Sequence, residues 1–185
     1  MDNKAWKSWL IVMTLVVVAT LLCLQFVFVV ANVDGSSMEP GLRASERLFI
    51  WRLQYTFNEP ERGDIVMCYY PVTGKRHYVK RIIGLPGETL EIAGGRVYIN
   101  GEALAEAYID EDPIADVAPV TIEAGHYYVM GDNRNHSTDS RHPSVGPLAR
   151  EDIAGKALLL FWPLTRAQTF QTPYYDSYIP YGAGH

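Results

Sequence analysis

The sequence predicts a mainly β globular domain behind one N-terminal transmembrane helix, and three observations predict it. An uninterrupted apolar run of 23 residues, Trp9 to Ala31, lies near the start of the chain. Beyond it, short runs rich in β-branched and aromatic residues alternate with Gly, Pro, Asn and Asp. No 15-residue stretch after Val33 carries a helical period of apolar residues.

The apolar run has no charge, and as a helix it would be about 34 Å long, enough to cross a hydrocarbon core of about 30 Å. A removable leader is the competing reading, because Val29 to Ala31 ends in small residues, but leader cores are shorter than this run. Lys4 and Lys7 precede the run and Asp34 is the first charge after it, so the charge rule predicts residues 1–8 in the cytoplasm and the rest outside.

Expected strands follow in order: 47–53, 64–72, 77–85, 89–93 with 96–100, 126–132 and 154–163. Gly94-Gly95 suits a two-residue hairpin turn, and Asn100-Gly101 a second one. Segment 105–119 is acidic and punctuated by Pro, which predicts an exposed insertion. The tail 168–185 is rich in Tyr, Pro and Gly and is expected to be loosely ordered. The expected organisation is therefore 1–8 cytoplasmic, 9–31 anchor, 32–167 globular domain and 168–185 tail. The aromatic stretch Leu48 to Phe57 is expected either at the lipid interface or in a core strand.

The formal net charge of -5 leaves no basic excess for phosphates, so nucleic acid is not an expected partner. Two cysteines, Cys23 in the apolar run and Cys68 far beyond it, do not read as a bridge. The five histidines lack metal-ligand spacing, so neither metal nor cofactor is expected.

Candidate chemistry begins at Val33-Asp34-Gly35-Ser36-Ser37-Met38-Glu39-Pro40, directly after the apolar run, where two serines have no neighbouring histidine. The other side chain able to take a hydroxyl proton near neutral pH is a desolvated lysine. Lys80 stands in an apolar strand whose period of two puts Tyr78, Lys80 and Ile82 on one face. Burial there would leave a neutral amine. The plainer alternative is a lysine snorkelling to solvent beside Arg81, and Lys80 taken alone favours it. A third segment, Gly131 to Arg141, packs Asp132, Arg134, Asp139 and Arg141 among Asn and Ser residues. It reads as a polar surface loop, or as a loop held rigid by an Asp139–Arg141 pair with Ser137 free to orient the lysine amine.

Together "SSMEP", "RGDIVMCYYP", "YVKRIIGLPGE" and "GDNRNHSTDSR" resemble, in order, the motifs of the bacterial type I signal peptidases, over the chain from the anchor to about Trp162. The resemblance implies a signal-peptidase-like β-rich catalytic domain and a membrane-bound serine endopeptidase that cleaves signal peptides from exported preproteins beside the lipid bilayer. It implies Ser37 as nucleophile and Lys80 as general base, with Ser137 positioning the amine and Asp139 with Arg141 fixing the site. Met38, Leu42, Tyr78 and Val79 would lie near the pockets for small residues flanking the cleavage point.

Three positions depart from the family pattern. Gly41 stands where Thr is usual, Asn135-His136 where Asp-Asn is common, and Gly35 where some members carry an oxyanion-binding serine. With Gly35 there, the oxyanion must rely on backbone donors, chiefly the Ser37 N–H, unless Ser36 contributes. A self-cleaving Ser-Lys repressor would carry a DNA-binding domain in place of the anchor. A catalytically inactive tethered binding module would have no need of Ser37, Lys80, Ser137, Asp139 and Arg141 together.

Overall fold

The computed structural model describes residues 3–74 and 76–172. Helix α1 (Asn3–Val27) opens the chain, and its apolar side chains are exposed all round. No other described residue covers that surface, and Trp6–Val27 is about 33 Å long, so the segment suits a hydrocarbon surrounding. The chain then runs straight into strand β1 (Phe28–Asn32). The apolar run expected as one helix over 9–31 is therefore helical only to Val27. The reason is tertiary: Phe28, Val29 and Val30 are good strand formers, and β1 pairs antiparallel with all five residues of β2 (Arg47–Trp51), which satisfies its backbone groups.

The remaining strands are β3 (Ile65–Tyr69), β4 (His77–Gly84), β5 (Thr89–Ala93), β6 (Arg96–Ile99), β7 (Glu102–Ala103), β8 (Val117–Thr121), β9 (His126–Met130), β10 (Leu148–Ala149), β11 (Ile153–Trp162) and β12 (Gln168–Thr169). The larger sheet runs β1-β2-β11-β3-β4-β9-β10, with β12 added beside β11. The smaller sheet runs β7-β6-β5-β8 and is an excursion between β4 and β9, which are themselves neighbours. Gly94 and Gly95 take φ of 54° and 79° in the β5–β6 turn, and Asn100-Gly101 turns β6 into β7, as the sequence predicts.

Alternation decides which side chains enter the core. In β2, Leu48 and Ile50 are buried while Phe49 faces out against Phe161. The aromatic stretch 48–57 thus divides: its strand half feeds the core, and a single helical turn, α2 (Gln54–Phe57), leaves Phe57 78% exposed. In β4, by contrast, every residue from Lys80 to Gly84 is buried, because both faces of this central strand are covered.

Two surface expectations change. Segment 105–119 is not wholly exposed, since the Glu106 carboxylate is buried against Arg134 and residues 117–119 belong to β8, paired with β5. In the tail, β12 pairs with β11, Phe170 packs on the core and Thr172 donates to Asp64 at 2.6 Å. Buried Asp64 accepts from Tyr55 as well and pairs with Lys156, so it ties Thr172 to the sheet. The rest of the expected loose tail, 173–185, lies outside the described residues.

Candidate active site

Three segments meet at the site. The β1–β2 connection brings Ser37, the middle of β4 brings Lys80, and the loop after β9 brings residues 131–141. Lys80 pairs in register with Val66 of β3, while the next residue, Arg81, pairs with Ile65 of β3 and Met130 of β9. Lys80 thus sits in the sheet's interior at the point where the 131–141 loop leaves β9. It is 2% exposed, so the snorkelling alternative does not hold. Its Nζ lies 2.5 Å from Ser37 Oγ.

Burial pushes the Lys80 amine below the ordinary lysine range, and the Arg141 charge lowers it further. Asp139, Cys68 and Asp132 oppose the shift without cancelling it. Desolvation wins because little water is left to solvate an ammonium there. Cys68, buried on the neighbouring strand, has its thiol pushed up to about 12 by the same loss of solvent, which keeps it neutral.

Asp139 is fully buried. Arg141 donates to it from Nε and Nη2, each at 2.8 Å, and the Gly131 N–H donates at 2.9 Å. Burial alone would raise the carboxyl, but the Arg141 guanidinium and these hydrogen bonds hold it below the usual carboxylate range. The buried Ser137 Oγ meets no partner at hydrogen-bonding geometry among the described residues. The expected Ser137–Lys80 contact is therefore absent from this geometry. Gly131 allows close approach here: a Cβ on it would stand 2.3 Å from both Ser137 Oγ and the Ser37 carbonyl oxygen.

Sequence reasoning missed the contacts that brace this loop. Arg81 forks onto Asp132 (Nε–Oδ1 2.8 Å, Nη2–Oδ2 2.7 Å), and Tyr108 covers its guanidinium at 4.0 Å. Arg134 forks onto Glu106 at 2.6 and 2.7 Å. Asn133 donates to the nucleophile segment, from its backbone to the Ser37 carbonyl at 3.1 Å and from Nδ2 to the Ser36 carbonyl at 3.2 Å. The one available signal was the density of Asp, Asn and Arg in 131–141; their partners are distant in sequence.

A groove of about 320 Å³ opens beside Ser37 and Lys80, walled by residues 32–35 on one side and 76–79 on the other. Met38, Tyr78 and Val79 line it. Leu42 does not: it is fully buried in the core with Val33, Leu48 and Leu160, one turn behind Met38, to whose carbonyl its N–H bonds at 2.8 Å. His136 is exposed and does not line this groove.

Comparison with known proteins identifies the family. The family model described as signal peptidase, peptidase S26, matches residues 6–162. A signal peptidase I of Bacillus amyloliquefaciens is 40% identical over 172 residues, covering 88% of each chain. A probable signal peptidase I-2 of Synechocystis is 38% identical over 174 residues, covering 89% of this chain and 78% of its own. A crystal structure of a signal peptidase I from Enterococcus faecalis is 33% identical with a TM-score of 0.48, covering 54% of this chain and 97% of that one. The chain belongs to the peptidase S26 signal peptidases, a family of membrane-anchored serine endopeptidases.

Proposed function

We propose that this enzyme removes N-terminal signal peptides from exported preproteins at the outer face of the membrane, with Ser37 as nucleophile and Lys80 as general base. The observation that carries the reading is the 2.5 Å separation of a buried lysine amine from a serine hydroxyl at the wall of an open groove. A neutral Lys80 takes the Ser37 proton as Oγ attacks the scissile carbonyl. The Ser37 N–H stabilises the oxyanion. The amine then protonates the leaving amino group, and water, deprotonated by the same amine, resolves the ester. The Asp139–Arg141 pair keeps the loop rigid, and Ser137 packs against Gly131 next to the Ser37 carbonyl.

Topology supports the substrate class. Ser37 follows the end of α1 by ten residues, at most about 33 Å of extended chain. A substrate held in the bilayer by its own apolar segment can reach the groove, where its extended chain can pair between the two walls as an added strand. Lys4 and Lys7 in the first turns of α1, ahead of the uncharged run, and Asp34 beyond it favour a cytoplasmic N-terminus. Met38, Tyr78 and Val79 leave shallow room, which favours small residues one and three positions before the scissile bond. The test is processing of a preprotein whose signal ends in Ala-X-Ala by detergent-solubilised wild type, Ser37→Ala and Lys80→Ala. Cleavage by wild type alone is expected, and cleavage by a folded Ser37→Ala protein would overturn the assignment.

A further inference from the structure

We propose that Asn133 is a positioning residue for the oxyanion site, acting through the Ser36–Ser37 peptide bond, with His136 fixing the orientation of its amide. The inference rests on the reading of Ser37 as nucleophile and of its N–H as oxyanion donor. Ser36 to Glu39 form a tight turn closed by the Glu39 N–H on the Ser36 carbonyl at 3.0 Å. In such a turn the N–H of the second residue has no partner within the turn. That N–H belongs to Ser37, and among the described residues nothing accepts from it.

The carbonyl at the other end of the same peptide unit is doubly engaged. Besides the turn bond, it accepts the Asn133 Nδ2–H at 3.2 Å. Donors on a peptide carbonyl polarise the amide and strengthen what its N–H can offer. They also hold the peptide plane, so the N–H keeps its direction when charge develops on the substrate. The next peptide plane is pinned from the same residue, because the Asn133 backbone N–H donates to the Ser37 carbonyl at 3.1 Å. Asn133 therefore grips both planes flanking the nucleophile, although it lies 97 residues from Ser36 in the chain.

The amide's own orientation is set by His136. Because Nδ2 faces a carbonyl, Oδ1 must accept, so His136 Nδ1, 3.2 Å away, carries a proton and donates to it. The backbone closes the same turn, with the His136 N–H on the Asn133 carbonyl at 3.2 Å. The relay runs from imidazole to amide to peptide to oxyanion, every member donating in one direction. This gives His136, which stands at one of the positions departing from the family pattern, a role at the nucleophile without contact with substrate.

The test is steady-state cleavage by the full chain in detergent of a peptide with Ala-X-Ala before the scissile bond, followed across pH. In Asn133→Ala, kcat should fall about tenfold, short of the 10²- to 10³-fold lost with an oxyanion donor itself. KM should stay within about twofold, since the lost support acts when charge develops. The pH midpoint of kcat should not move, since Lys80 is untouched. His136→Ala should lower kcat about two- to threefold with the same pattern. If Asn133→Ala does not fold, Asn133→Asp keeps the size while facing the Ser36 carbonyl with an acceptor, and should lower kcat at least as much. A kcat within about twofold of wild type in the folded Asn133 variant would overturn the proposal. So would a loss that appears as raised KM, or one accompanied by a displaced pH midpoint. A folded wild type that leaves the peptide uncut would overturn the peptidase reading and this inference with it, whereas an active wild type beside an unimpaired variant overturns the inference alone.

Discussion

Replacing Arg141 with Met keeps most of the stem but removes the guanidinium from a fully buried carboxylate. Asp139 would keep the Gly131 N–H at 2.9 Å and the Arg141 backbone N–H at 3.3 Å, while losing two charge-assisted bonds at 2.8 Å. Breaking a buried pair from one side costs about 3–5 kcal/mol, because the remaining charge is left desolvated and uncompensated. For a domain of this size that corresponds to a fall in Tm of roughly 6–20 °C. Thermal unfolding in detergent, followed by tryptophan fluorescence at a fixed scan rate, measures it. The pH dependence has a definite sign. Asp139 titrates below the ordinary carboxylate value in the folded wild type, so the stability it contributes is present above about pH 4 and is lost as pH falls through the folded value. In Arg141→Met, burial is no longer opposed by the guanidinium and the carboxyl rises. The gap in Tm between the two proteins should therefore be widest near neutral pH and narrow in acid. The same substitution removes a charge that helps keep the Lys80 amine neutral, so the pH–rate midpoint should move upward. A Tm loss under about 3 °C at neutral pH, or a midpoint moving downward, would show that the Arg141 charge does not compensate Asp139 in this way.

Gly131→Ala would force a Cβ to 2.3 Å from the Ser37 carbonyl oxygen and Ser137 Oγ, so cleavage should fall to background even where circular dichroism shows a folded protein; retained turnover would contradict the described loop packing. Gly35→Ala should cost only about 1 kcal/mol and leave the enzyme active, since φ at Gly35 is +78° but open space surrounds the position. By the same observation Gly35→Ser meets strain but no clash, and a Tm loss much above 5 °C in either variant would count against it. Because burial lowers the Lys80 amine, the unfolded chain binds the extra proton between the folded value and about pH 10.4, and wild-type stability relative to Lys80→Met should rise with pH across that window. A pH-independent difference in chemical denaturation would mean a solvated amine.

Features legible in the residues alone are local ones. A long uncharged run marks an anchor whatever follows it, alternation in β2, β5 and β6 marks their buried faces, and Gly94-Gly95 marks a hairpin, because each is a property of neighbouring residues. Asp139 and Arg141, two residues apart, were legible as a pair for the same reason. The end of the helix was not, because Phe28 to Ala31 are as apolar as the residues before them and only the free edge of β2 makes them a strand. Lys80 carried two readings, since alternation assigns a face but not what covers it. The family resemblance implied a groove position for Leu42, yet the turn at Met38 directs it into the core. The partners of Arg81, Arg134 and Asn133 stand 51, 28 and 97 residues away. Only the strand order that seats β4 beside β9 and brings the β1–β2 connection over them decides those contacts, because a charge or amide in a sequence can pair with any complementary group the topology carries to it.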